Sequence, residues 1–469
     1  MGYRPLKNVI TTLNKTMPKT APKTPTPKNR QSPSQIGSAI PKKAETTRTA
    51  KTRKSQQKAA KSSSKISLYF SCDQATLNDS LDFVKGAVPN KPSHPILGNI
   101  LLIADRKEQL VHLIADNLQF GMQVSFEAPV KRSGKMTLPK DIFLPMVKRF
   151  RRGKLTIKCL IEKPEREGQE PSLKAVLKSS QTEQFEIAGM DASDFPSLPE
   201  TDNKLMTLPA RIVMAQLSGS LFAASNDETK RVLNGSHFRF SGERKRGLNQ
   251  IETWTTDGHR LALFTGSSQT ESPLSEPVNF TVPLKVLKEL ERHLNPTDQL
   301  TIYYSGEKNS SGIVVFEWAT KRLVSRTFAE QYPDCSAFVE PLKEQYCRHL
   351  TVERLALLGA LERLAVLTDK AMKVVRLELD SAKGKVNLSI ENEIGFGKAI
   401  LDAQCVGESL TLAFNVHYLV EVAKAISSSD IRINLVNDET PALIAAGGTQ
   451  TPGTPSVEGE YILAPVQLR

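Results

Sequence analysis

Asp257, His259 and Arg260 stand within one short string, TTDGHRLALF. An acid, an imidazole and a guanidinium so close together are the side chains of general acid–base chemistry, and a serine from elsewhere could complete a nucleophilic relay. The surrounding residues argue otherwise. Asp257–Gly258 is a turn signal between two apolar runs that read as strands. The chain contains no G-x-S-x-G elbow, no H-E-x-x-H helix and no phosphate-binding glycine loop. The seven histidines, among them His94, His112, His259 and His417, fall at no metal-ligand spacing. The five cysteines, Cys72, Cys159, Cys335, Cys347 and Cys405, are odd in number, widely spaced and without a C-x-x-C pair. Neither a zinc site nor a disulfide framework is expected, and a reducing, cytoplasmic compartment fits best. The chemistry-bearing residues therefore predict a non-catalytic protein without metal or cofactor.

The elements that position this string recur along the chain. An amphipathic helix entered from an extended stretch and followed by a strand is written three times, as LPKDIFLPMVKRFRRGKLTIKCL at 138–160, VPLKVLKELERHLNPTDQLTIYY at 282–304 and FNVHYLVEVAKAISSSDIRINLV at 414–436. Pro139, Pro283 and Asn415 take equivalent places 144 and 132 residues apart, a spacing of repeated domains rather than of a solenoid. Each copy has an earlier helix, predicted over Thr76 to Ala87, Ala210 to Ser225 and Val352 to Leu367, the last with Leu355, Leu358 and Leu361 on one face. Between the helices, runs such as NILLIADRKEQLVHLIA, HFRFSG and KVNLSI alternate with period two, as antiparallel strands with one buried face do. Each unit is thus α+β, with two helices and antiparallel sheets. DFPSLPE at 194–200 and QYPDCSAFVEP at 331–341 read as linkers. Pro145 inside the first repeat predicts a helix that begins only at Leu144.

Charge is unevenly spread. The chain is formally +13, yet residues 1–65 hold 16 Lys or Arg against one acid, Glu45, so the remainder, with 47 basic and 49 acidic residues, is close to neutral. This Lys/Pro/Ser/Thr-rich segment cannot bury enough apolar surface to offset its ordering entropy, and it reads as a disordered tail. Three roles stay open for it: an electrostatic arm on DNA, an organelle transit peptide, or a spacer. No apolar run is long enough to span a bilayer, and no membrane partner is expected. Lys285, Lys288 and Arg292 fall at i, i+3 and i+7, and Lys148, Arg149, Arg151, Arg152 and Lys154 crowd the first repeat. Either a solvated helix face or a DNA contact accounts for them. The third copy offers only Lys424 beside Glu421.

TTDGHRLALF closely resembles the most characteristic segment of bacterial DNA sliding clamps, the beta subunits of replicative DNA polymerase III. HPILGNILL at 94–102, VLNG at 232–235, YPD at 332–334, FNVHYLVEVAKAI at 414–426 and YILAPVQL at 461–468 follow in that family's order and at about its spacing. The resemblance runs from about residue 66 to 469. It implies three repeated clamp domains, here 66–200, 201–342 and 343–469 after the tail at 1–65. Two copies would join head to tail as a homodimeric ring of six domains, with helices lining a hole threaded by double-stranded DNA. A closed ring of like units independently requires equal domains and heterologous interfaces, and near neutrality suits a protein that must slide rather than grip phosphates.

The resemblance also implies a pocket in which DNA polymerase, clamp loader and repair proteins insert a short linear peptide. The matching residues are Leu233, Thr256, Gly258, His259, Arg260, Leu261, Pro333, Phe338, Met372, Asn415, Tyr418 and Pro441, with Ile462, Leu463, Ala464, Pro465 and Val466. For DNA it implies Lys91, Lys230 and Arg231 in loops, to which the basic runs above add Arg149, Arg152, Lys285 and Lys288 as candidates. For ring closure it sets Phe185 and Ile187 of the first domain against Val366 and Leu367 of the third. Ala337 stands where many relatives have a basic residue, and Gln467 with an extra Arg469 alters the family's usual basic ending, so peptide preference is expected to differ. The alternative is a specialised paralogue held on DNA by its tail without a main replicative role. Residence in the cytoplasm on the nucleoid is expected, with organelle targeting by the tail left open.

Overall fold

The computed structural model describes residues 65–467 except 163–170, 180–182, 271, 308–309, 370–372 and 449–456. The tail at 1–65 lies outside the described residues but for Lys65, which opens a strand.

Local capping fixes the helix starts. Asp73 accepts the Ala75 N–H at 2.9 Å and opens helix α1 (Gln74–Val84). Pro139 and Pro283 precede α2 (Lys140–Arg149) and α4 (Leu284–His293), where fixed φ and a missing N–H are tolerated. Asn415, in the same place, accepts the His417 N–H at 3.0 Å and caps α7 (Val416–Ala425). Helix α3 spans Ala210–Ser220, α5 Ser336–Lys343 and α6 Arg354–Ala365, the last capped by the Glu353 carboxylate.

Each unit contains two antiparallel sheets of four strands, and in unit one the short strand Val130–Arg132 adds a fifth to the first sheet, beside Lys65–Asp73. The first joins the strand before the first helix to the three strands after the second helix. The second is made by the four strands between the helices. Units are then stitched by strand pairing. The last strand of unit two, Lys321–Arg326, pairs with Phe120–Glu127 of unit one. The last strand of unit three, Val457–Leu463, pairs with the equivalent Arg260–Gln269 of unit two. The corresponding strand of unit one, Gln184–Gly189, is an edge. So is the stretch 395–402 of unit three, which pairs on one side only, with Lys385–Asn392.

The apolar cores lie between sheets and helices. Phe83 of α1 meets His293 of α4 edge-on at 4.9 Å and Trp318 at 5.7 Å, locking unit one to unit two. Gly86 leaves room for Glu289 there, since a Cβ at that position would lie 2.6 Å from its Oε2.

Several expectations need correction. The helices expected to reach Ala87 and Ser225 end at Val84 and Ser220, with tight 3₁₀ turns at Lys85–Ala87 and Leu221–Ala223. Val352 belongs to a strand, because the Glu353 cap starts α6 two residues later. Leu355 is consequently 62% exposed, and the buried stripe is Leu357, Ala360, Leu361 and Leu364. Helix α2 starts at Lys140 rather than Leu144. The carbonyl that Pro145 cannot bond belongs to Asp141, which is exposed to water, so the proline is tolerated. Part of the second linker is itself helical, as α5.

Candidate partner-docking site

The TTDGHR string builds a tight loop rather than a reactive centre. Asp257 Oδ1 accepts the N–H groups of His259 (2.8 Å) and Arg260 (3.1 Å), and its Oδ2 accepts Arg260 Nε at 3.1 Å. Gly258 takes φ +93°, and its N–H donates to the Thr256 hydroxyl at 3.0 Å. Arg260 is 7% exposed. It also donates to Glu421 of α7 and to the Phe222 carbonyl, while its guanidinium lies 4.2 Å from the Tyr418 ring centroid. The Asp257 and Arg260 side chains are thus spent on fixing a loop and bridging units two and three. Among the described residues no group of three His, Cys, Asp or Glu could hold a metal ion, and no helix is long and apolar enough to cross a membrane.

An apolar cluster separate from the main cores lies under this loop. Leu233, Trp254, Leu261, Leu443 and Ile462 are buried together, with Leu261 opposite Ile462 in the strand pair that joins the units. Tyr332 closes its base: its hydroxyl accepts the Thr256 N–H at 3.0 Å, and its ring stacks on His237 at 5.2 Å. Burial, reinforced by Arg239 and opposed by Asp334, lowers the His237 pKa to about 4. His259, Pro333, Phe338, Tyr418, Pro441 and Ala464 stay partly exposed around the cluster.

The residues expected to line a pocket therefore separate into three groups. Leu233, Leu261 and Ile462 form an apolar floor, with Thr256, Gly258 and Arg260 shaping the loop above it. The six partly exposed residues form a rim. Leu463, Pro465, Val466 and Asn415 are buried supports rather than lining: Leu463 packs into the core of unit three, Val466 N–H donates to the Ala413 carbonyl at 2.7 Å, and Asn415 caps α7. Met372 lies outside the described residues. Trp254, Tyr332 and Leu443, which the sequence reading does not name for the pocket, join the same cluster, and of these Tyr332 has a signal in the YPD motif.

The basic residues Lys91, Arg149, Arg152, Lys230, Arg231, Lys285 and Lys288 are all exposed. Lys285 and Lys288 share a face of α4, whereas Arg149 turns back onto the Pro145 carbonyl at 3.0 Å and lines a recess beside Phe185. Arg231 lies 3.9 Å from Glu330.

At the edges, Phe185 is 44% exposed and packs edge-on against Phe150 at 5.3 Å. Ile187 corrects the expectation: it shares a face of its strand with Phe185, but it lies opposite Ala175 in the core of unit one and is 2% exposed, whereas Phe185 sits nearer the strand's start. Val366 is 80% exposed. Leu367 lies over Gly397, where a Cβ would come within 2.6 Å of its Cδ1. Ile394, Phe396 and Ile400 expose more than half of their surface on the same edge.

Residues 68–199, 207–334 and 342–451 match the family models described as the N-terminal, central and C-terminal domains of the DNA polymerase III beta subunit. The beta sliding clamp of Synechococcus elongatus is 34% identical over 403 residues, 85% of this chain and 99% of the relative. That of Synechocystis is 33% identical over 411 residues, covering 85% of this chain and 98% of the relative. Crystal structures of sliding clamps from Bacillus subtilis (TM-score 0.73, 22% identity) and Pseudomonas aeruginosa (TM-score 0.72, 20% identity) each align over 86% of this chain and 100% of theirs, and share the fold. With its three repeated α+β units, this chain belongs to the DNA polymerase III beta subunit family, the beta sliding clamps.

Proposed function

We propose that the chain acts as a DNA sliding clamp and non-catalytic processivity factor: two copies close head to tail around double-stranded DNA, and the junction of units two and three docks polymerase, clamp loader and repair proteins by short peptides. The observation that carries closure is the pair of edges left over by the repeat. Inside the chain, the last strand of one unit twice pairs with the third interhelical strand of the unit before it. Applied once more between copies, the same rule joins Gln184–Gly189 of one to 395–402 of the other, and the reverse pair closes the ring. The side chains agree with it. Beside Phe185 lies a recess of about 450 Å³ lined by Ile142, Pro145, Met146 and Phe150, while the opposite edge carries Ile394, Phe396, Val366 and Leu367. An unpaired strand edge with exposed apolar groups is a liability unless covered.

Division of the units near 200 and 342 accompanies this reading. Lys285, Lys288, Arg152 and the loop cations Lys91, Lys230 and Arg231 would touch phosphates weakly and without reading sequence, while closure supplies persistence. At the dock, an apolar floor under a polar loop and a partly exposed rim suits hydrophobic anchors of an extended peptide. Sedimentation tests closure. A dimer is expected, and Leu367→Glu, which sets a charge against an apolar partner, should yield monomers. A monomeric parent chain, or a dimer unmoved by that substitution, would contradict the edge assignment.

A further inference from the structure

The outward face of the first sheet of unit one carries positive charge that neither the ring nor the dock uses. Tyr69 stands opposite both Lys158 and Arg132 in the strand registers. The ammonium groups of Lys158 and Lys131 lie 4.7 and 5.0 Å from its ring centroid. Lys178 is opposite Thr156, whose hydroxyl meets that of Ser71 at 3.2 Å. Because side chains alternate along a strand, Leu68, Phe70, Ile157 and Cys159 are buried beneath while these cations face solvent. Among the described residues none of Lys131, Arg132, Lys158 and Lys178 pairs with a carboxylate. The glutamates of the same face, Glu162 and Glu186, are both held by Lys174, at 2.6 and 2.9 Å. A further lysine, Lys154, faces Asp73 across the strands.

The repeat supplies an internal control. Register places Tyr303 and Glu317 of unit two, and Asn434 and Ala445 of unit three, where unit one has Lys158 and Lys178. In a folded portion that is almost neutral, this sheet alone of the three carries both lysines at those positions.

We infer that this face binds single-stranded nucleic acid, with the lysines on phosphates and Tyr69 stacked on a base. Cations beside an aromatic ring are what sequence-tolerant strand binding requires. The patch spreads across adjacent strands, which an extended, flexible backbone can follow and a rigid duplex cylinder meets only along a strip. An acidic peptide would satisfy the lysines but offers no base to the ring.

The test uses the full chain and a labelled oligothymidylate, with affinity measured across a salt series. Lys131→Ala/Lys158→Ala/Lys178→Ala should weaken binding at least about tenfold and lower the salt slope by about 2, as three lost single-strand phosphate contacts demand. Comparing variants cancels any constant contribution from residues 1–65. Tyr69→Ala should weaken binding about tenfold through lost stacking, with the salt slope nearly unchanged. Unaltered melting temperature and subunit mass confirm that the variants fold. Equal affinity and slope in the triple variant would overturn the inference. A triple variant that loses polyglutamate equally, with Tyr69→Ala silent on the oligonucleotide, would also overturn it and mark the face as a peptide surface.

Discussion

The two junctions between units share a backbone and differ in what fills them. At the first, Asn117 Oδ1 accepts the N–H groups of Gln119 and Phe120 at 3.0 Å, Asp116 Oδ1 accepts that of Leu118 at 2.7 Å, and Leu118 takes φ +70°. Asp257, Thr256 and Gly258 do the same at the second. From there the residues diverge: Phe120 stands for Arg260, Gly121 for Leu261, and Leu101 for His237. Leu198 of the first linker folds back over Gly121, where any Cβ would sit 2.1 Å from its Cδ2. Phe195 of that linker is buried with Ile96, Leu97 and Leu101. The second linker instead forms α5 and leaves Pro333 and Phe338 partly exposed. One scaffold thus yields a junction sealed by its own chain and another with an uncovered apolar rim, so on the proposed function it is the linker rather than the fold that would set docking capacity.

The comparison breaks first at Gly121. Gly121→Leu should cost about 3 kcal/mol by overpacking against Leu198, read as a lowered unfolding midpoint, and adding Leu198→Gly should restore much of the loss. An unchanged midpoint would mean that the first junction is not sealed.

Next comes His237, which has no titratable counterpart at Leu101. Its pKa is about 4 when folded against 6.5 for an unperturbed histidine. Between those values the unfolded chain binds a proton that the folded chain refuses. Stability is therefore fully present above pH 6.5 and falls by up to about 3 kcal/mol as pH drops to 4. His237→Asn should remove that part of the pH dependence in urea melts run at neutral and mildly acidic pH.

A smaller effect separates rim from seal. Phe338→Ala should weaken a hydrophobic partner peptide about tenfold, roughly 1.4 kcal/mol, with little change in folding, whereas Leu198→Ala should leave peptide affinity alone. Binding isotherms distinguish the two. The smallest change sharpens the likeness: Leu118→Gly relieves a left-handed leucine and, after the entropy cost of glycine, should alter stability by less than about 1 kcal/mol.

These contrasts explain what was legible in the sequence. Pro139, Pro283 and Asn415 revealed the repeat because each occupies a helix cap, a local device with a local signature. The TTDGHR loop was readable as a turn for the same reason. Leu198 over Gly121, the α5 linker helix, and the edge with Ile394 and Phe396 were not, since they depend on which distant strands pair and on which face a side chain then presents. Ile187 shows the limit plainly: the resemblance sets it beside Phe185 at an interface, and although the two share a strand face, packing opposite Ala175 buries Ile187 and leaves Phe185 half-exposed. Leu463, Val466 and Asn415 are named by the resemblance for the pocket, but burial turns them away from its surface.

The enclosure of duplex DNA by two copies of this chain is tested most directly by retention on circular against linearised duplex of the same sequence, after loading and at a salt concentration that suppresses phosphate contacts. A closed ring should stay on circles and run off linear ends, with Leu367→Glu retained on neither. Equal retention on circular and linear duplex would show that the chain clasps DNA without encircling it.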